Sequence, residues 1–524
     1  MANLLDLPPE ILREIILIVF HQVQIDDQFR YDGQGLTANP LPAYAVQKII
    51  NNSFAHGMEV LPQYERENIF PEFHVYSEML HHRIWRESLR AMSLSCRLLH
   101  GVIQAILYVF VELDEMGTSA SERQEPTLVE KCLRSIVAQP QVARYIRALS
   151  VRACSDEILD QFNGDYQSVM GRLMDDLAVL DSTSIVEVDR FINLVKPSFQ
   201  LPLLLSLIPG LKSVRISMEF ASRLLGYMVD SAPERERAPV AKKYLSNFQD
   251  VEEISLIWDD PDMDAFDSII LLPLFMAPKL RTLYFGSAMA GDIYWSSNDV
   301  VESKYIEVSS VTELIFDFSI VNPNTLATLL KIPKQLEKFR YSFGGESNRV
   351  EAPSMAEIVT ALLPQRESLR SIDIRGCRHS RVEGDSLKIP NGFRPFRYLE
   401  ELSFPFIVFG LDQSKSPALS NILPPRLRRL RLYAYDENNL YLLEMALIKM
   451  FDQGRGNHWK YLVHVGVDFW YDEELHRREI RENYLAVDGV EASDLKRTFD
   501  RRVTKLVNLG KDVGVHVEVN IDER

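Results

Sequence analysis

The residues of this chain whose types and spacing could do chemistry are basic. The stretch Arg426-Leu427-Arg428-Arg429-Leu430-Arg431-Leu432 gathers arginines in one short run. A planar guanidinium donates two parallel hydrogen bonds to a carboxylate or phosphate, so such a run suits recognition of an acidic group. Lys338 and Arg340, in a similar apolar–polar alternation earlier in the chain, extend that reading to a basic pocket in an acidic protein. The alternative is a solvated strand face balanced by nearby Asp436 and Glu437. Aromatic pairs at the ends of such segments fit either interface anchors or core: Phe404 and Phe406, Tyr433 and Tyr435, Trp470 and Tyr471.

Nothing comparable points to catalysis. The sequence has no Gly-rich phosphate-cradling motif, no dinucleotide fingerprint, no His-Glu-x-x-His and no nucleophile elbow. His81 and His82 are adjacent, so on a helix they point about 100° apart and cannot share one ion. Asp259, Asp260, Asp262 and Asp264 lack the glycine and the terminal glutamate of a calcium loop and read as a solvated turn. Cys96 sits on an apolar helical stripe, where a thiol is inert packing. The sequence therefore predicts no catalytic residue, no metal site, no cofactor and no enzyme activity.

The arginine run belongs to a repeating element. An apolar-x-x-apolar-x-apolar pattern appears at Ile146/Leu149/Val151, Leu211/Val214/Ile216, Val251/Ile254/Leu256, Leu280/Leu283/Phe285 and Val311/Leu314/Phe316. It continues at Leu336/Phe339/Tyr341, Leu369/Ile372/Ile374, Leu399/Leu402/Phe404, Leu427/Leu430/Leu432 and Leu462/Val465/Val467. After the first gap the units recur every 25 to 40 residues, roughly the period of leucine-rich repeats. The last two apolar positions have strand period, so the residue between them faces the other way. Helical stretches lie between strands, as at Asn324–Lys331, Ser354–Leu363 and Leu440–Phe451. Each unit reads as strand, loop, helix, and buries its apolar face only against its neighbours. Unit lengths vary, and the asparagine of the consensus repeat is missing after most strands, so the array is irregular. A charged helix at Ala492–Val507 and an alternating strand Val513-x-Val515-x-Val517-x-Val519 would cap it.

In such an array the residues between the apolar positions line one sheet face: Arg215, Ser255, Tyr284, Ile315, Arg340, Asp373, Ser403, Arg431 and Gly466. Two residues earlier come Ser213, Glu253, Thr282, Glu313, Lys338, Ser371, Glu401, Arg429 and His464. Of these, Arg215, Tyr284, Arg340, Asp373, Arg429 and Arg431 are the candidates to contact a protein target.

The N-terminus is of another kind. In LLDLPPEILREIILIVFHQV, Asp6 is a fitting N-cap, Pro8 and Pro9 occupy the first turn and Glu10 favours the positive helix end. Ile11, Leu12, Ile15, Ile16 and Val19 then form one helical stripe. A second helix is expected at Ser88–Phe110, apolar on two sides. The opening Leu4-Leu5-Asp6-Leu7-Pro8-Pro9-Glu10-Ile11-Leu12-x-x-Ile15-Ile16 resembles the start of an F-box. Leu94-Ser95-Cys96-Arg97-Leu98-Leu99 with Ile106-Leu107-Tyr108-x-x-Val111 resembles its closing half. The resemblance implies binding of the Skp-type adaptor of a cullin–RING ubiquitin ligase through Leu7, Pro8, Ile11, Leu12, Ile15, Leu94, Cys96 and Leu99. One departure is large: an aromatic-rich insertion at about residues 22–86 separates the two halves. Its aromatic content predicts an ordered segment rather than a linker.

Composition agrees with a folded chain. The 524 residues are 46% hydrophobic and 25% charged, enough for a sizeable core. A net charge of −16 lacks the basic footprint of nucleic-acid binding, so neither nucleic acid nor membrane is an expected partner. No apolar run approaches the roughly twenty residues of a membrane span. Cys96, Cys132, Cys154 and Cys377 form no pair motif and read as reduced, buried thiols in a cytoplasmic or nuclear protein. The expected architecture is α/β. A small helical F-box-like module (1–115, insertion at about 22–86) precedes an irregular leucine-rich-repeat solenoid (116–524) with a curved parallel sheet, outer helices and a C-terminal cap. The expected function is substrate recognition for an SCF-type ubiquitin ligase. The alternative is a leucine-rich interaction scaffold unconnected with ubiquitin.

Overall fold

The computed structural model describes residues 108, 110–114, 127–152, 166–180, 184–195, 197–217, 248–257, 274–290, 306–344, 352–376, 392–406, 419–434, 437–454, 461–471 and 492–523. Leu7, Pro8, Ile11, Leu12, Ile15, Leu94, Cys96 and Leu99 of the F-box-like stretches lie outside the described residues, as do the insertion at 22–86 and the acidic run from Asp259 to Asp264. Of the matched residues in the closing stretch only Tyr108 and Val111 are described, and Val111 is in a strand. The chain divides into two compact units, Met1–Phe220 and Ala221–Arg524. Both are α/β with parallel strands. Among the described residues no helix is long and apolar enough to cross a membrane.

In the first unit β1 (Phe110–Asp114) is followed by α1 (Leu128–Ala138), α2 (Pro140–Ala143) and β2 (Ala148–Arg152). Then come α3 (Tyr166–Val179), α4 (Ile185–Leu194), α5 (Pro197–Ser206) and β3 (Ser213–Ser217). β2 pairs in parallel with β1 and with β3, placing Leu113 beside Val151, and Leu149 beside Val214. A strand at Phe110 departs from the helix expected through that residue; Phe110-Val111-Glu112-Leu113-Asp114 alternates with strand period. Among the described residues the long first gap of the repeat pattern holds three helices, not one. Thr127 caps α1 by accepting from Glu130 N–H at 3.0 Å. Val129, Leu133, Ile136 and Val137 are its buried stripe. Arg134 on α1 ion-pairs with Glu130 (2.7 Å) and with Asp189 of α4. Free Cys132 is half-buried, yet burial pushes its thiol up to about 12.

The second unit runs β4 (Glu253–Ile257), β5 (Thr282–Gly286), β6 (Met289–Ala290), β7 (Glu313–Val321), α6 (Pro323–Leu329), β8 (Lys338–Phe343) and α7 (Met355–Leu362). It continues with β9 (Ser371–Arg375), β10 (Glu401–Pro405), α8 (Leu419–Ile422), β11 (Arg429–Ala434), α9 (Glu437–Gly454), β12 (His464–Tyr471), α10 (Ala492–Val513) and β13 (His516–Glu523). Strand order follows chain order, β4-β5-β7-β8-β9-β10-β11-β12-β13, with β6 added beside β7.

The register aligns the repeats residue for residue. Ile254, Leu283, Leu314, Phe339, Ile372, Leu402, Leu430, Val465 and Val517 form one continuous row. Every member of every apolar triplet is buried. Backbone bonding just before each strand repeats too: Arg281 and Thr282 N–H donate to Glu252 O, and Thr312 and Glu313 N–H to Arg281 O. The same fork recurs onto Thr312, Glu337, Arg370, Glu400 and Arg428, so one carbonyl per unit sets the height of the next strand.

Aromatic rings fill the middle of this core. Phe285 stacks on Phe316 at 4.9 Å, and Tyr341 meets Phe343 edge-on at 4.8 Å. The buried Tyr341 hydroxyl donates to Ser319 O (3.1 Å) and accepts from Val321 N–H (3.3 Å). Buried Gln365 joins two successive repeats of this unit: its Nε2 donates to Leu330 O and Pro333 O, while its Oε1 accepts from Leu336 N–H. Ser354 and Glu357 form a capping box on α7. At the far end α10 runs to Val513, beyond the expected Val507, and Val513 is helical, not the first strand residue. The chain turns at Gly514, whose φ of +75° suits glycine, and β13 begins at His516.

Candidate binding face

Because alternate strand residues point to opposite faces, the residues between the core positions share the face opposite the apolar rows. In the first unit this row pairs Ser150 with Arg215, which is half-buried. In the second it runs Ser255, Tyr284, Ile315, Arg340, Asp373, Ser403, Arg431, Gly466 and Glu518. The row two residues earlier runs Glu253, Thr282, Glu313, Lys338, Ser371, Glu401, Arg429, His464 and His516. The row is not uniformly open: Ser255 and Ile315 are buried, whereas Tyr284, Arg340 and Asp373 are half-buried and Arg431 is exposed.

Asp373 on β9 is the hub of a polar cluster. Its Oδ2 lies 2.8 Å from Arg375 Nη2 and 3.5 Å from Arg340 Nε. Its Oδ1 accepts from the Tyr433 hydroxyl of β11 at 2.9 Å. The Arg375 guanidinium sits 5.9 Å from the Tyr433 ring centroid, within cation–π range. Burial works against the Arg375 cation, but Asp373 outweighs it and holds the guanidinium above its ordinary value. Burial, then Asp373, raises the Tyr433 phenol, so it stays a neutral donor. Next along, Arg431 clasps Asp468 of β12 with both Nε (2.5 Å) and Nη2 (2.9 Å), and this bond raises the Arg431 pKa. Toward β7, the Tyr284 hydroxyl donates to Asp317 at 3.1 Å.

The structure brings Tyr284, Arg340, Asp373, Arg429 and Arg431 onto one face of the second unit, and Arg215 onto the corresponding row of the first. It does not leave the arginine run as an open basic pocket. Arg428 faces Glu400 (3.5 Å), Arg429 bonds Glu401 (3.1 Å) and Arg431 holds Asp468. The balancing acids come from neighbouring strands, where parallel register places them; Asp436 and the side chain of Glu437 lie outside the described residues. The result is a mosaic of paired charges offering rigidly held donors and acceptors. At the edge of this mosaic Phe318 is 66% exposed at a β7 bulge, with φ +47°. Trp470 and Tyr471 are the last two residues of β12, and Tyr433, one residue before the end of β11, is buried in the cluster.

Sequence reasoning missed several charged residues here, among them Asp317, Arg375, Asp468 and Glu518. Each carries an ordinary charge in the sequence and gains meaning only once neighbouring strands are registered. Comparison with protein-family models and with curated proteins finds no match for this chain.

Proposed function

We propose that this chain is a non-catalytic adaptor of the F-box type, in which an irregular leucine-rich-repeat solenoid presents a protein target to an SCF-type ubiquitin ligase. The observation that carries the reading is the unbroken parallel ladder of the second unit. Its buried rows repeat in register, and its other face displays Tyr284, Arg340, Asp373, Arg375, Arg429 and Arg431. A regular array that spends its apolar residues on one face and fixes paired charges on the other suits recognition of a protein surface, since paired charges select geometry more than they add affinity. The F-box resemblance of Leu4–Ile16 supplies the ligase end, with the chain contributing effective concentration and other subunits the chemistry.

The test is co-purification of the full chain with a Skp-type adaptor. Wild type should retain the adaptor and the Leu7→Ala/Ile11→Ala variant should lose it, with thermal stability nearly unchanged. Truncating core residues costs about 2–5 kcal/mol, so a large fall in melting temperature would make that stripe core. No retention by the wild-type chain would leave an interaction scaffold outside the ubiquitin pathway.

A further inference from the structure

Parallel pairing of β12 with β13 sets His464 directly opposite His516, and Gly466 opposite Glu518. The two imidazoles lie side by side on the polar face, with ring centroids 5.4 Å apart and planes tilted by 33°. Glu518 is two residues beyond His516 and so shares its face. Across from it Gly466 has no side chain to compete for space, and Glu518 leans back over β12 until its Oε2 is 3.2 Å from His464 Nε2. One nitrogen from each histidine and one carboxylate oxygen all lie within 4.8 Å of one another.

We propose that His464, His516 and Glu518 form a binding site for a divalent transition-metal ion, zinc by preference. Two imidazoles and one carboxylate are the donor set of open zinc sites and of other borderline divalent ions, not of calcium or magnesium. Ligand bonds of about 2.0–2.1 Å put tetrahedral donors about 3.4 Å apart. The His464–Glu518 separation already meets that spacing, and the exposed His516 closes the rest by side-chain rotation. The two arginines on the neighbouring strand do not oppose a cation, because Arg429 is bonded to Glu401 and Arg431 to Asp468. Glu518 thus supplies the local negative charge. Three protein ligands leave one tetrahedral position for water or for a side chain of a bound partner. The site is independent of the ligase reading.

The test uses the full chain, stripped with a chelator and titrated with Co²⁺ by absorption and with Zn²⁺ by calorimetry. One equivalent should bind with a nitrogen–oxygen cobalt spectrum lacking thiolate charge transfer. His516→Ala and Glu518→Gln should each weaken binding at least about tenfold, with the far-UV spectrum and metal-free melting unchanged because both side chains are exposed. Should His516→Ala fail to fold, Glu518→Gln alone decides. Absence of binding, a thiolate band, or unchanged affinity in a folded variant would overturn the proposal.

Discussion

At the residue scale, charges on the polar face are held by different balances of burial and pairing, and Glu313 shows which effect wins. It lies next to Thr282 and Lys338 in its row, with Lys338 Nζ 3.9 Å away. Burial raises its pKa above the ordinary carboxylate range, and Lys338, Thr282 and Arg340 only partly oppose this. Lys338 is mostly exposed, so solvent screens its contribution. A carboxyl raised on folding binds its proton more tightly in the native state. Its contribution is fully present below the unfolded pKa of about 4.3 and is lost as pH rises through the folded value. Glu313→Gln should therefore gain on wild type as pH rises from about 4, then hold a constant advantage. Urea unfolding across a pH series measures this, and parallel curves for the two proteins would refute it.

At the element scale the strands were legible in sequence and the connections were not. The triplet pattern marks residues that bury side chains against two neighbours, and burial is a property that residue type reports directly. Ile315 shows where that logic ends: it occupies the polar row yet is buried. The three helices between β2 and β3 left no period of their own in the repeat count. α5 buries leucines on several sides (Leu201, Leu203, Leu204 and Leu205) and also buries Gln200, so it carries little amphipathic signal. Register between repeats was legible from the aligned triplets, whose polar rows recur in the strand pairing from Ser255 to Gly466. The Asp373 hub and the His464–His516–Glu518 cluster were not, because Arg375, Asp468, His516 and Glu518 lie outside the triplets. The last boundary was misread because Val513 keeps strand alternation with Val515 and Val517 although it ends α10. What fixes that boundary is close packing. A Cβ on Gly510 would lie 2.2 Å from Val517 Cγ2 and 2.7 Å from Val515 O, and that loop is held by Val515 N–H donating to Gly510 O at 2.9 Å. Glycine to alanine inside a helix ordinarily gains about 0.5–1 kcal/mol, whereas forcing a methyl into a packed contact costs about 1–3 kcal/mol. The clash is with backbone as well as side chain, so the cost wins. Gly510→Ala should lower stability while Asn508→Ala, exposed on the same helix, should not; denaturant midpoints of the two variants decide it.

At the scale of the whole molecule the second unit is a stack in which each strand pairs with its neighbours in chain order, so stability is a sum of units and of contacts between adjacent ones. Such a stack is most vulnerable at its ends, where a strand edge offers unpaired N–H and C=O groups to any other chain. β13 completes β12 along its full length, from the His464–His516 pair to the Tyr471–Glu523 pair. α10 packs on both β13 and α9, and Lys505 reaches the buried Glu444 of α9 at 2.6 Å. Removing residues 492–524 would therefore bare β12, an eight-residue strand with core valines at 465 and 467, and take the Lys505 cation from Glu444. Strands near the middle keep both neighbours and should hold their order. The expected outcome is a truncated protein with nearly native circular dichroism that self-associates on size exclusion with light scattering. Hydrogen exchange should be faster in β11 and β12 and unchanged in β7 and β8. Exchange raised uniformly across the unit would mean that it unfolds as one cooperative body, and a monodisperse truncated chain would mean that β13 does not guard the edge.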